Sequence, residues 1–288
     1  MIKQSERPWR AWAALMTAVV LLAACGGGSS GGGSSVSNMT ATDTTFGRTM
    51  TVNVFGSGLD SADLQLDVSG PCSGGVRTAL RLEYQAAFTC RVDGIGTITS
   101  AIQNAQGTEL ARLRVNIPVP QVSITIAQGA LSRTFVVELD PVAAPVTSLN
   151  FIRYVNNGFY RNTIFHRVLA SRLVQGGQYD TELSLRPALF DPIKLESDNG
   201  LKNLRGAIAM ARTQAPDSAT AQFYINVIDN PAFDRQGADL PGYAVFGRVV
   251  SGIEVVDAIA AVPVSTVSNE FPSLPVTNVI MTSVVQTR

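Results

Sequence analysis

The sequence predicts a mainly β protein: a closed antiparallel β-barrel capped by two helices, preceded by a small β-sandwich. Three observations carry this reading. Short runs of alternating apolar and polar residues recur from Val36 to the C-terminus, as half-buried strands require. Only two stretches change to helical spacing, and many strands with two helices argue for a closed, helix-capped barrel. The third observation is punctuation. IPVPQV, Ile117 to Val122, sets two prolines between two groups of strands and divides 36–117 from 121–288.

The first residues read as a targeting segment. Lys3, Arg7 and Arg10 form a basic opening, and Ala11 to Leu22 is an apolar run of signal-peptide length, short for a membrane span. Leu22-Ala23-Ala24-Cys25 resembles a bacterial lipoprotein box. That implies removal of residues 1–24 and a lipid on Cys25 as a membrane anchor; ordinary secretory cleavage after Ala23 or Ala24 is the other reading. Acyl chains contribute about 0.8 kcal/mol per buried CH₂, so several on one residue anchor stably. Gly26, rather than Asp, follows the cysteine, and the resemblance then implies the periplasmic side of an outer membrane. GGGSSGGGSS, residues 26–35, supplies reach and no core, so residues 25–35 read as a tether.

Between Val36 and Ile117, Met50, Val52 and Val54 alternate in TMTVNVFGSGLD before a Gly-Ser-Gly break. LQLDVSG, ALRLEYQAAFTCRV and ARLRVNI repeat the alternation, and several such short strands suggest a sandwich. GRTMTVNVFGSGL resembles, over a short stretch, the start of immunoglobulin-like modules of the IPT/TIG kind. Beyond an export leader the surroundings are oxidising, so Cys72 and Cys90 are expected to form a disulfide that stabilises by about 3 kcal/mol. No polar cluster here suggests chemistry, and the stretch reads as a spacer or interaction module.

From Gln121 onwards, SITIA and RTFVVELD make an opening hairpin. PVAAPVTSLNFIRYVNNG is helical: Val146, Leu149, Ile152 and Val155 recur every three residues. Pro145 suits its first turn and Gly158 its stop. SGIEVVDAIA sets Ile253, Val256 and Ile259 on one face of the second helix. The stretches between are mainly strand-like.

Composition narrows the chemistry. Lys plus Arg equals Asp plus Glu at 22 each, so no basic excess points to nucleic acid as a partner. One histidine and three cysteines cannot assemble a multi-histidine or zinc-ribbon centre, and neither a metal nor another cofactor is expected. The chain also lacks a G-x-S-x-G elbow, an H-E-x-x-H pair and a phosphate-binding glycine loop.

Four separated blocks are specific. FIRYVNNGFYRNTIFHRVLASRLVQGG, LRGAIAMART, SATAQFYINVIDN and GYAVFGRVVSGIEVVDAI resemble, in order and spacing, cyclophilin-type peptidyl-prolyl isomerases of the bacterial exported branch. The resemblance implies rotation of X-Pro bonds in polypeptide clients, helping exported proteins to fold. It also implies that Arg167 is the catalytic arginine. A guanidinium suits that reaction, because it offers five donors and stays charged. If its run is a strand, Phe165, Arg167 and Leu169 share one face while Ile164, His166 and Val168 share the other. Phe165 would then line the substrate surface, and His166, the lone histidine, would be a hydrogen-bonded structural residue. By the same resemblance, Gln175 holds the substrate backbone and Leu173 lies in the proline pocket. Ala211, Arg212 and Thr213 meet the extended peptide, Gln222 and Tyr224 face the groove, and Phe233 and Tyr243 form its far wall.

The chain departs from the family pattern in places. Arg172 stands where a phenylalanine usually floors the proline pocket, and Ala170-Ser171 replaces Pro-Gly just before it. A charge there is costly if buried unpaired, so the stem of Arg172 should lie along the wall with its head in water. This leaves a second reading, a proline-peptide-binding or adaptor module with weakened catalysis. Tyr224 replaces a phenylalanine, keeping the ring and adding a hydroxyl. Ala232 replaces the tryptophan of eukaryotic members, which implies weak inhibition by cyclosporin.

Overall fold

The computed structural model describes residues 33–61 and 64–288. The leader of residues 1–24, Cys25 and the tether up to residue 32 lie outside the described residues.

The first part of the chain forms strands β1 Ser35–Thr42, β2 Thr49–Ser57, β3 Gln65–Ser69 and β4 Cys72–Leu82, then β5 Gln85–Val92, β6 Gly96–Gln103 and β7 Glu109–Ile117. They make two antiparallel sheets, ordered β1-β2-β5-β4 and β3-β6-β7. Alternation holds here as read: Met50, Val52 and Val54 of β2 are buried in one core with Phe88 and Cys90 of β5 and with Ile98, Ile102 and Leu113 of the other sheet. β1 opens inside the expected tether, because Ser35 and Val36 pair with Ser57 and Gly56. Cys72 and Cys90, on neighbouring strands, are joined by a disulfide with Cα atoms 5.7 Å apart.

The chain then runs through β8 Gln121–Gln128, β9 Leu131–Leu139, α1 Pro145–Asn156, β10 Thr163–Leu169 and β11 Leu173–Asp180. After these come β12 Ala207–Met210, β13 Phe223–Asn226, β14 Val245–Ser251, α2 Ile253–Ala260, β15 Val264–Ser265, β16 Leu274–Pro275 and β17 Ile280–Gln286. Eight strands close a barrel in the order β10-β11-β13-β12-β14-β9-β8-β17, with β17 pairing back onto β10. This is the mainly β, helix-capped barrel that the sequence predicts.

Pro145 opens α1, where its missing N–H is no loss. The Glu196 carboxylate satisfies the first turn instead, accepting from the Thr147 N–H at 2.8 Å and the Thr147 hydroxyl at 2.7 Å. The buried face of α1 differs from the predicted one. Val146 is exposed, while Phe151, Ile152, Tyr154 and Val155 are buried. Phe151 sits 5.3–5.5 Å from the rings of Tyr160, Phe223 and Phe246. The Leu149–Ile152 row has another purpose, since it meets the N-terminal sheets. A Cβ on Gly47 would lie 2.6 Å from Ile152 Cγ2, and its φ of +80° also favours glycine. Arg48 Nη2 donates to Asn156 Oδ1 at 2.8 Å, and Gln286 Nε2 donates to the Phe46 carbonyl at 3.1 Å, fixing the same junction. On α2, Val256 and Ile259 are buried as expected, with Val255 and Ala260 beside them.

Candidate active site

The site lies on the outside of the barrel, across β10, β11 and β13, and begins with an irregularity. Phe165 pairs with Gly176 and Arg167 with Gln175, so β10 has two steps where β11 has one. Such a bulge adds an extra residue, here His166, and re-aims the side chain that follows. Gly176 permits the close approach: a Cβ there would lie 2.7 Å from the Ile164 carbonyl oxygen. The bulge corrects the predicted face of Phe165. That ring is fully buried, 6.0 Å from the Phe223 ring, and does not line the groove. Val168 joins the same core, while Leu169 packs with the groove residues.

One side of the groove is polar. Arg167 Nη1 donates to Gln175 Oε1 at 3.2 Å, and Gln175 Nε2 donates to Gln222 Oε1 at 3.0 Å. The other side is apolar. Leu173 and Tyr224 are buried there, with Leu169, Ala211, Phe233 and Tyr243 packed around them. The Tyr224, Phe233 and Tyr243 rings lie 5.4–5.8 Å apart at 68–85°, the edge-to-face arrangement that aromatic quadrupoles favour. The structure therefore gathers Arg167, Leu173, Gln175, Ala211, Gln222, Tyr224, Phe233 and Tyr243 into one surface, as the sequence reading grouped them.

The other two arginines behave differently. Arg212 has its nitrogens engaged: Nε and Nη2 donate to the Gly242 carbonyl at 3.0 and 2.8 Å, and Nη1 to the Thr213 carbonyl at 2.8 Å. Its guanidinium lies 4.8 Å over the Tyr243 ring, so it braces the far wall. Exposed Thr213 turns its hydroxyl to Ser218 at 2.8 Å. Arg172 is exposed, with Cζ 5.6 Å from the Phe233 ring centre. Leu173 and Tyr224, beside it, are buried members of the apolar cluster.

Behind the pocket is a polar network that sequence reasoning missed. Tyr224 Oη donates to Asn203 Oδ1 at 2.7 Å, and Asn226 Nδ2 donates to the same oxygen at 3.2 Å. Asn230 Nδ2 donates to Asn226 Oδ1 at 2.8 Å and to the Arg172 carbonyl at 2.9 Å. Asp234 Oδ1 accepts from the backbone and side-chain N–H groups of Asn203 at 2.8 and 3.0 Å. Burial, above all, pushes the Tyr224 hydroxyl pKa well up, so it remains a donor. The network ties β13 and the turn carrying Phe233 to the strand start at Arg172. Its one sequence signal was FYINVIDN, where asparagines interrupt an apolar run.

His166 is 4% exposed, with its ring 4.6 Å from Tyr179 and 6.3 Å from Phe271. Burial first, and the Arg167 charge second, lower its pKa to about 4, so it is neutral at pH 7. The expected hydrogen bonding is not seen at Nδ1, which has no partner among the described residues. Ring contacts hold this imidazole instead.

On the flank of the barrel, Arg167, Gln175 and Gln222 thus form one hydrogen-bonded row beside the apolar cluster of Leu173, Tyr224, Phe233 and Tyr243. Residues 122–285 match the family described as cyclophilin type peptidyl-prolyl cis-trans isomerase/CLD, and the chain belongs to that family. Peptidyl-prolyl cis-trans isomerase A of Dickeya dadantii is 51% identical over 140 residues, covering 48% of this chain and 73% of the relative. Peptidyl-prolyl cis-trans isomerase B of Escherichia coli is 49% identical over 143 residues, covering 49% and 86%. A crystal structure of a cyclophilin type isomerase from Cryptosporidium parvum aligns with a TM-score of 0.47 at 23% identity, over 59% of this chain and 99% of that one.

Proposed function

We propose that this isomerase turns over X-Pro bonds in exported polypeptides, with Arg167 donating to the proline nitrogen as the amide twists. No bond to another atom is made or broken. The barrier, about 18–20 kcal/mol, is the loss of amide resonance. As the bond twists, the nitrogen lone pair localises and becomes an acceptor, so a donor that meets it only then lowers the barrier. In this reading Leu173, Tyr224, Phe233 and Tyr243 hold the proline ring, and Gln175 and Gln222 hold the flanking backbone. The observation that carries the reading is the Arg167–Gln175 hydrogen bond of 3.2 Å beside that apolar pocket.

The second reading, a proline-peptide binder or adaptor with weakened turnover, rests on Arg172. Its exposed position over Phe233, with Leu173 and Tyr224 as buried apolar residues beside it, favours turnover. A protease-coupled assay on a proline peptide compares wild type, Arg167→Ala and Arg172→Phe. Wild-type rates equal to buffer would sink the enzyme reading, and recovery in Arg172→Phe would identify the cause.

By the same proposal the barrel is held on the periplasmic side of a bacterial membrane; the lipoprotein-like leader supports export and a lipid on Cys25. The N-terminal sheets, with their IPT/TIG-like opening, then act as a spacer. Labelled palmitate should enter the wild type and not a Cys25→Ala variant; equal labelling of both would refute the anchor.

A further inference from the structure

The loop between β15 and β16, residues 266–273, touches β10 on both sides of Arg167. On one side, Phe271 packs 6.3 Å from the His166 ring and 5.0 Å from Tyr179, which itself lies 4.6 Å from His166. On the other, the Val168 N–H donates to the Ser273 carbonyl at 2.9 Å. Among the described residues, the loop is fastened to the barrel by one side-chain hydrogen bond, from the Tyr179 hydroxyl to Glu270 Oε1. It is braced internally as well: Val267 N donates to Phe271 O at 3.0 Å and Thr266 Oγ1 to Pro272 O at 2.9 Å. The guanidinium is held far more lightly, by Gln175 alone among the hydrogen bonds of its side chain seen in the described residues. A cavity of about 340 Å³, lined by Arg167, Gln175, Gln222, Asn269 and Glu270, lies between loop and groove.

We propose that the Tyr179–Glu270 hydrogen bond is a latch that positions Arg167 through the β10 backbone. It rests on the role given to Arg167 above. Bulges are the weak points of a ladder, because the extra residue is left unpaired. Here His166 is the residue that the ladder leaves unpaired, and its ring contacts with Tyr179 and Phe271 hold it against the barrel. With the latch closed, the residues before and after Arg167 are both pinned, and only its side-chain torsions stay free. With it open, the bulge can shift and carry the guanidinium with it. Glu270 and Tyr179 are thus positioning residues: neither needs to touch the substrate.

The test is a kcat-against-KM comparison on the full chain with a proline peptide. Tyr179→Phe, which keeps the ring and deletes only the hydroxyl, and Glu270→Ala should each lower kcat about three- to tenfold, as loss of fine positioning does, with KM within about twofold. Glu270→Gln keeps an acceptor for the tyrosine hydroxyl and should restore kcat to within about twofold. In an Arg167→Ala background, Glu270→Ala should change nothing further. An unchanged kcat in both Tyr179→Phe and Glu270→Ala would overturn the latch. So would a Glu270→Gln rate as low as that of Glu270→Ala, because the carboxylate charge would then be acting directly. If Arg167→Ala itself were as active as wild type, the fault would lie with the role of Arg167 and not with the loop.

Discussion

The N-terminal sheets and the barrel follow the same rule of alternation, yet among the described residues the candidate site lies in the barrel. In β1, β2 and β5 the inward positions are apolar; β2 pairs with β5 without a break in register, while β1–β2, β4–β5 and β6–β7 each slip. What reinforces that region is a disulfide. In the barrel the register slips at Phe165–Arg167, and an asparagine network stands directly behind an aromatic pocket. A slip in register is therefore not enough. What distinguishes the barrel is the polar row of Arg167, Gln175 and Gln222 gathered beside its slip. The two regions should therefore respond to opposite perturbations.

The largest effect belongs to the barrel. Arg167→Ala should lower kcat/KM about 10²–10³-fold, the scale for losing a donor aimed at the transition state, and leave the melting temperature unchanged. The reverse holds in the N-terminal sheets. Replacing Cys72 and Cys90 together with alanine should destabilise them by about 3 kcal/mol in denaturant unfolding, with isomerase rates unaltered. A fall in rate in that variant would show that the two regions are coupled in function.

Next is a pH effect confined to the barrel. The unfolded His166 imidazole binds a proton below about pH 6.5, but the folded one only near pH 4. Between those values the unfolded state holds more protons, so stability is lost as pH falls through the window, by on the order of 3 kcal/mol at most. His166→Gln should flatten that slope in unfolding titrations. The smallest effect is Tyr224→Phe. Asn203 Oδ1 keeps its bond from Asn226, so stability should fall by only about 1 kcal/mol, and kcat/KM should stay within a few-fold.

The barrel, its two helices and most of the groove residues were legible because periodicity and the four motif blocks report on local structure. What was not legible depends on partners far along the chain. Phe165 was misplaced because a bulge is set by what β11 allows, and Gly176 is eleven residues away. Val146 was misread because helical spacing gives a stripe but not its partner: Leu149 and Ile152 pack toward Gly47, about a hundred residues earlier. The place of Arg172 needed three dimensions, since only the folded chain sets its guanidinium over the Phe233 ring. Asn203, Asp234 and Glu270 carried no motif at all. Each has meaning only through a hydrogen bond to a distant strand or turn.

In the proposed mechanism, Arg167 acts on the twisting amide and not on binding as such. Exchange NMR on one proline peptide reads both quantities in a single sample, the dissociation constant from shifts and the cis–trans rate from exchange peaks. Arg167→Ala should bind within a few-fold of wild type while catalysed exchange drops about a hundredfold or more. Exchange that persists at the wild-type rate, or a loss fully explained by failed binding, would contradict it.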